Sequence, residues 1–291
     1  VRIDLHSHST ASDGTDTPAE LVHAAVAAGL DVLAITDHDT TSGWSEAVAA
    51  LQATDSELRL VRGMEMSCVG DGADGKPVAV HLLAYLFDPD NQAFARERER
   101  LRAERVTRLR AMTEKMAADG VPVDPDAVMA DVGDTAGRPH LARALVAAGV
   151  VGSVDQAFTD LLRTGGRYYV DKVDTPLDDA IDMIGAAGGV SVIAHARARS
   201  RGRLLSLDHI RSAATHGLGG LEVRHPDHSA EDTELLGDLA VELGLVVTGS
   251  SDYHGTNKVV QLGDFGTAPD QLEAIVDRAS GVPVMSARDV R

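Results

Sequence analysis

Short apolar runs alternate with helix-forming segments along most of this chain, and that alternation most limits what it can fold into. Residues 1–6, 31–36, 58–65, 78–85, 190–194, 220–223 and 245–248 read as strands, short and mostly apolar. Between them lie helical stretches at about 17–29, 42–54, 177–187, 207–216 and 230–243. The first is well signalled. Thr17-Pro18-Ala19-Glu20 supplies a cap, a proline in the first helical position and a glutamate three residues on, before Leu21, Ala25 and Ala28 extend an apolar face to Gly29. Strands buried on both faces and covered by helices form parallel sheets, and 291 residues suit one α/β barrel of roughly 250 residues with an insertion.

The insertion is expected at 91–163, where the rhythm becomes helix alone, leaving 1–90 and 164–291 as a discontinuous barrel unit. Within it, 96–116 is highly charged, with Leu101, Leu109, Met112 and Met116 spaced for one apolar stripe. That pattern reads as a solvated helix docked by a narrow face. Shorter helices follow at 125–130 and 139–148, and the block is expected to cover the mouth of the barrel.

Polar residues collect at the strand ends. His6 and His8, two apart on a strand, face one side, with Asp13 a few residues on. Alone they read more readily as surface histidines beside a turn. But His38 follows the second strand, Glu65 closes the third, His81 lies in the fourth, His195 follows the fifth, Glu222 and Arg224 close the sixth, and Asp252 and His254 follow the seventh. The carboxyl ends of parallel barrel strands converge on one face, where such folds carry their chemistry. Imidazoles and carboxylates without thiolate favour divalent manganese, iron or zinc over soft-metal sites. His23, His209, His216 and His228 lack this placement and read as structural.

Composition narrows the partners. A formal charge of −18 argues against binding long duplex nucleic acid, which needs a positive surface. Cys68, the one cysteine, excludes an intrachain disulfide and reads as a buried thiol. No apolar run is long enough to span a membrane and no leader precedes the first strand, so the expectation is a cytoplasmic protein without a membrane partner. A glycine loop for ATP is also missing, which favours a hydrolase over a kinase. Oligomeric state is not legible.

The series His6-x-His8, Asp13, Thr36-Asp37-His38, Gly63-x-Glu65, His81, Ala194-His195, Glu222 and Ser251-Asp252-x-His254 resembles the polymerase-and-histidinol-phosphatase (PHP) family of metal-dependent phosphoesterases. The resemblance implies a distorted seven-stranded (β/α) TIM-like barrel holding up to three metals. His6, His8, Glu65 and Asp252 would take one; Glu65, His81 and His195 a second; Asp13, His38 and His254 a third. A hydroxide bridging two such metals would attack the phosphorus directly. Asp37 fits better as a catalytic supporting residue that orients a histidine than as a ligand.

Gly137-Arg138-Pro139-His140 and Arg167-Tyr168-Tyr169-Val170-Asp171-Lys172 resemble segments of the branch that cleaves phosphate from nucleotides. Arg138, His140 and Lys172 are therefore candidate phosphate ligands, although Arg138 has the alternative of bracing its own helix. After His195, the run Arg197-Ala198-Arg199-Ser200-Arg201-Gly202-Arg203 concentrates positive charge, with Arg197 and Arg199 as further candidates. The family usually has proline where this chain has Ala196, which puts the course of that loop in question. Arg224 and His225 are candidates to contact phosphate or protonate a leaving oxygen, with a loop salt bridge as the alternative. The resulting expectation is a phosphoesterase acting on nucleoside 3′,5′-bisphosphates or the 5′ ends of short oligonucleotides. Histidinol-phosphate phosphatase is the nearest rival, and a metal-binding domain without catalysis a more distant one. An amidohydrolase would commonly carry a metal-bridging lysine, which no strand end supplies.

Overall fold

The computed structural model describes residues 1–132 and 134–288, with Arg201 described in its backbone only. The Arg201 side chain and the expected barrel limit at 291 lie outside the described residues. The elements are β1 (Ile3–Asp4), α1 (Pro18–Ala27), β2 (Val32–Ile35), α2 (Trp44–Ala53), β3 (Arg59–Asp71), β4 (Pro77–Tyr85), α3 (Gln92–Ala118), α4 (Pro125–Ala130), α5 (Arg138–Ala147) and α6 (Val154–Asp160). There follow β5 (Thr175–Pro176), α7 (Leu177–Ala186), β6 (Val190–Ile193), α8 (Leu207–Thr215), β7 (Gly220–Arg224), α9 (Ala230–Leu243), β8 (Val246–Gly249), α10 (Pro269–Arg278) and β9 (Met285–Ser286). Helices α6 and α10 and the short strands β5 and β9 are additions to the sequence reading.

The main path of the sheet runs β1-β2-β3-β4-β6-β7-β8, with β5 and β9 paired to β3. A parallel bridge from Ser7 to Tyr253 draws the two ends together into a nearly closed, distorted barrel. The expectation of parallel strands throughout needs one correction: β4 is antiparallel to both β3 and β6. The cause is local. Strand β3 continues to Asp71, and residues 72–76 turn tightly, with Gly72 N–H on the Lys76 carbonyl (2.9 Å) and Gly75 at φ 72°. So short a link makes a hairpin, never the crossover that parallel strands need. His81 therefore reaches the barrel mouth from mid-strand, paired opposite Ser67, rather than from a carboxyl end.

Strand alternation sorts the core into two layers. Val32, Ala34, Val190 and Val192 point into the barrel with Ile3, Leu5, Leu83 and Tyr85, while Leu33, Ile35 and Ile193 join the outer layer under the helices. Truncating a fully buried member such as Leu33 to alanine costs about 2–5 kcal/mol.

Helix α3 starts on an Asn91 cap that accepts from Phe94 N–H (3.2 Å). Its early residues Phe94 and Leu101 pack in the barrel's outer layer, and Leu109, Met112 and Met116 pack with α4, α5 and α6 in a separate small core that also takes Tyr168. The picture of a solvated helix on a narrow apolar face is corrected here. Arg98, Arg105 and Arg108 are buried on the same stripe, at 7%, 5% and 8% exposure.

Candidate metal centre

At the barrel mouth the strand ends place their polar side chains around Glu65, which is 1% exposed. Glu65 Oε2 lies 3.2, 3.1 and 3.1 Å from His6 Nε2, His8 Nε2 and His38 Nδ1. Its Oε1 lies 2.7 Å from His81 Nδ1 and 2.9 Å from His195 Nε2. Asp252 Oδ1 sits 3.3 and 3.4 Å from His6 and His8 Nε2, and Asp13 Oδ1 is 3.3 Å from His254 Nε2. Among the described residues three groups of converging ligand atoms result: His6, His8, Glu65 and Asp252; His8, Asp13, His38 and His254; and His38, Glu65 and His81. Relative to the sets the resemblance implied, His8 joins the Asp13 group, and His38 accompanies Glu65 and His81.

The donors fit divalent cations on their own chemistry. His38 Nδ1 is buried and only 3.1 Å from Glu65 Oε2, yet has no hydrogen-bond partner, an orphaned buried nitrogen that a cation would satisfy. Hard carboxylate oxygens mixed with imidazole nitrogens match manganese, iron or zinc. The protonation pattern is that of groups crowded for a cation. Burial alone would push the Glu65 carboxyl up, but His81, His38 and His6 hold it well below the ordinary range. Burial disfavours charge on His8, and Asp252 and Glu65 outweigh it, holding its pKa at about 9. Burial drives His38 well below its ordinary value, with Arg105 adding to the effect.

Backbone strain marks the same place. Asp39, His195 and Asp252 have positive φ (54°, 31° and 52°), a region that costs a non-glycine residue free energy and is held only by surrounding structure. Gly14 permits the tight return of the first loop, since a Cβ there would run into the His8 carbonyl.

Neighbouring groups aim the ligands. Glu222 Oε1 lies 3.0 Å from His6 Nδ1, which places that proton on Nδ1 and turns Nε2 toward Glu65. Its Oε2 accepts from His195 N–H (2.8 Å), and burial notwithstanding, His6 and His225 hold the Glu222 carboxyl down at about 2. Asp37 accepts from Ser9 N–H, Ser9 Oγ and Ser12 Oγ (2.8, 2.7 and 2.6 Å). It thus clamps the first loop, and Ser12 Oγ in turn lies 3.4 Å from His8 Nδ1, so Asp37 meets a histidine only through that serine. His225 is buried with both ring nitrogens engaged. Nδ1 accepts from Asp227 N–H (3.0 Å), leaving Nε2–H for Asp252 Oδ2 (3.3 Å). Lys258, which the sequence reading missed, donates to the same Oδ2 at 2.5 Å, so Lys258 and His225 together turn Oδ1 toward His6 and His8.

The positive candidates divide. Arg199 grips Asp232 bidentately (2.7 and 2.6 Å), and Arg197 lies 3.6 Å from the same carboxylate while donating to the Leu205 carbonyl. Arg224 is exposed and donates to the Gly266 carbonyl (3.1 Å). None of these three guanidiniums is brought onto the ligand groups.

Arg138, Lys172 and two arginines of α3 gather beside the cluster instead. Arg105 donates to Asp39 and to Ser67 Oγ (2.7 Å), where Asp39 also accepts from Ser67 N–H (2.7 Å). Arg108 has an Nε with no partner, and burial with Arg105 and Arg138 nearby pulls its pKa down to about 9. Lys172 pairs with Asp174, and burial followed by Arg105 brings it down to about 6. Arg138 lies over the rings of Phe158 and Tyr169 (5.3 and 5.6 Å) and donates to the Leu162 carbonyl (2.9 Å). His140 caps α5, its Nδ1 accepting from Gly137 N–H (3.2 Å). The signal for Arg105 and Arg108 was present in the spacing: positions 98, 101, 105, 108, 112 and 116 form one helical stripe, and arginine on a buried stripe demands partners.

Comparison with known proteins agrees with this geometry. The PHP domain model matches residues 4–189. A 3′,5′-nucleoside bisphosphate phosphatase of Chromobacterium violaceum is 35% identical over 87% of this chain and 87% of its own length. A 5′-3′ exoribonuclease of Haemophilus influenzae is 33% identical over 90% and 93%. The crystal structure of a candidate metal-dependent phosphoesterase from Bifidobacterium adolescentis superposes with a TM-score of 0.87 at 37% identity, covering 96% of each chain. With that domain match, those identities and three converging ligand groups at the barrel mouth, this chain belongs to the PHP family of metal-dependent phosphoesterases.

Proposed function

We propose that this protein hydrolyses nucleotides that carry a second phosphate, namely nucleoside 3′,5′-bisphosphates and the 5′ ends of short oligonucleotides. The observation that carries the reading is the basic pocket under α3: Arg105 pairs with Asp39 and Lys172 with Asp174, while the buried Arg108 beside them has no ion-pair partner among the described residues and no acceptor at Nε. A buried guanidinium without a carboxylate partner calls for an anion. A phosphate that is not the one being cleaved supplies it, and Arg binds phosphate with charge-assisted hydrogen bonds. The names of the two curated relatives support the same substrate class.

In this reading His6, His8, Glu65 and Asp252 hold one divalent ion, Glu65, His81 and His195 a second, and Asp13, His38 and His254 a third. Bound ions would supply Lewis-acid stabilisation of phosphoryl charge and a nucleophile at neutral pH. The chain's own residues do the rest. Glu222 fixes the ring of His6, His225 and Lys258 fix Asp252, and Asp37 fixes the first loop. The basic pocket anchors the second phosphate, so the scissile one is presented in a set orientation. Residues 91–163 act as a helical insertion on a barrel formed by 1–90 and 164–291, bringing Arg105, Arg108, Arg138 and His140 over the mouth. His225 serves as a positioning residue.

The test is phosphate or mononucleotide release in manganese from a nucleoside 3′,5′-bisphosphate, a nucleoside monophosphate, histidinol phosphate and a 5′-phosphorylated trinucleotide. Preference for the first and last supports the reading. Preference for histidinol phosphate moves the protein to the rival class.

A further inference from the structure

Helix α5 separates two polar spaces. Its first residue, Arg138, joins the basic pocket, whereas His140 and Arg143, one turn apart on the other face, look onto the first loop of the chain. There they line a cavity of about 290 Å³ with Thr10, Ser12, Thr15 and Asp131. The cavity lies against the loop that carries Asp13, a member of the group formed with His8, His38 and His254. Arg143 brings a guanidinium whose Nη1 is shielded from water and finds no hydrogen-bond partner. A donor in that state is costly, and no acceptor at that nitrogen holds the guanidinium back from turning toward a ligand in the cavity.

We propose that this cavity is a second nucleotide subsite, which takes the residue attached to the scissile phosphate on the side away from the basic pocket. The inference rests on the nucleotide reading above and deepens it. Both proposed substrate classes are cleaved at one bond. Water adds its oxygen to phosphorus, the P–O3′ bond breaks, and O3′ leaves with a proton on the nucleoside whose 5′-phosphate sits in the basic pocket. In a bisphosphate the released group is inorganic phosphate. In an oligonucleotide it is the shortened chain, still joined to that phosphorus through its O5′. That next residue must go somewhere beyond the ligand groups, and the Arg143 cavity is polar and of a size for one sugar-phosphate, near the lower limit of small-molecule sites at about 300 Å³. Arg143 would donate to the following phosphate, and Thr10, exposed at the rim, would flank the chain as it leaves.

The experiment compares the full-length protein with Arg143→Met, Arg143→Lys and Thr10→Trp in manganese. Dissociation constants are measured for a nucleoside 3′,5′-bisphosphate and for a 5′-phosphorylated trinucleotide with non-hydrolysable phosphonate linkages, together with kcat/KM on the hydrolysable forms. Arg143→Met is expected to weaken trinucleotide binding and kcat/KM at least tenfold more than those for the bisphosphate, with Arg143→Lys recovering part of the loss. Thr10→Trp, a surface substitution that obstructs the rim, is expected to give the same selective loss if Arg143→Met fails to fold. Equal losses on both ligands, or no loss on the trinucleotide, overturn the subsite while leaving the nucleotide reading intact. A wild-type protein that binds neither ligand overturns both.

Discussion

Two buried collections of charge sit side by side at the barrel mouth, and they are balanced differently. Around Glu65 five imidazoles converge on one carboxylate, with Asp13, Asp252 and Glu222 nearby, so each group has a partner of opposite tendency. Under α3, Arg105 pairs with Asp39 and Lys172 with Asp174, and Arg108, buried beside them, is left without an ion-pair partner among the described residues. The first arrangement is held by strand geometry, each side chain set by a period of two at the end of a short strand. The second is held by one long helix, α3, whose buried face carries Arg105 and Arg108. On the proposed reading, chemistry is built into the barrel and selection is laid over it.

That contrast can be broken in several ways. The largest effect is expected at its centre: Glu65→Gln removes the shared carboxylate, and both metal content and phosphate release should fall, the latter by about a thousandfold. Retention of full activity would mean that the cluster is not where the chemistry happens. Glu222→Gln keeps shape and loses the charge that orients His6, so metal affinity measured by titration should fall about 10–100-fold.

Protons compete for the same site. With the His8 pKa at about 9 in the metal-free protein, an ion must displace its proton, and affinity should rise about tenfold per pH unit toward pH 9 for this one group. The sign for stability is the reverse. Held above its ordinary value of 6.5, His8 stabilises the metal-free fold fully below that pH, and the contribution is lost as pH rises through about 9. Urea titrations of metal-free protein across that window would show it. The smallest effect is expected outside both regions. Arg199→Ala breaks the fork on Asp232 and should change kcat/KM by less than about threefold, since Arg199 is exposed and turned to α9.

The sequence was most legible where periodicity does the positioning. His6, His8, Glu65 and Asp252 could be read because a strand end dictates where each points. The direction of β4 was misread although Gly70 to Gly75 was recognised as a turn, because the shortness of the link was not weighed. Glu222 was seen at a strand end, but its work on His6 depends on a partner 216 residues away, which no local pattern carries. Arg105 and Arg108 looked like solvent-facing charge because salt-bridge spacing on α3 fits that picture, as the Arg100–Glu97 pair indeed does. Helix α6 had a legible start in Ser153, which caps Gln156 N–H, whereas α10 begins without a side-chain cap and its start is signalled by Pro269 and Asp270 alone.

The division between chemistry and selection is tested most directly by Arg108→Met, measured against a nucleoside 3′,5′-bisphosphate and against 4-nitrophenyl phosphate, which has no second phosphate. The account predicts a loss in kcat/KM about 30-fold or more greater for the bisphosphate, together with a fold stabilised by about 1 kcal/mol on removal of a buried unsatisfied cation. Equal losses on the two substrates would contradict it, and would make Arg108 part of the ligand cluster's support rather than a recogniser of the second phosphate.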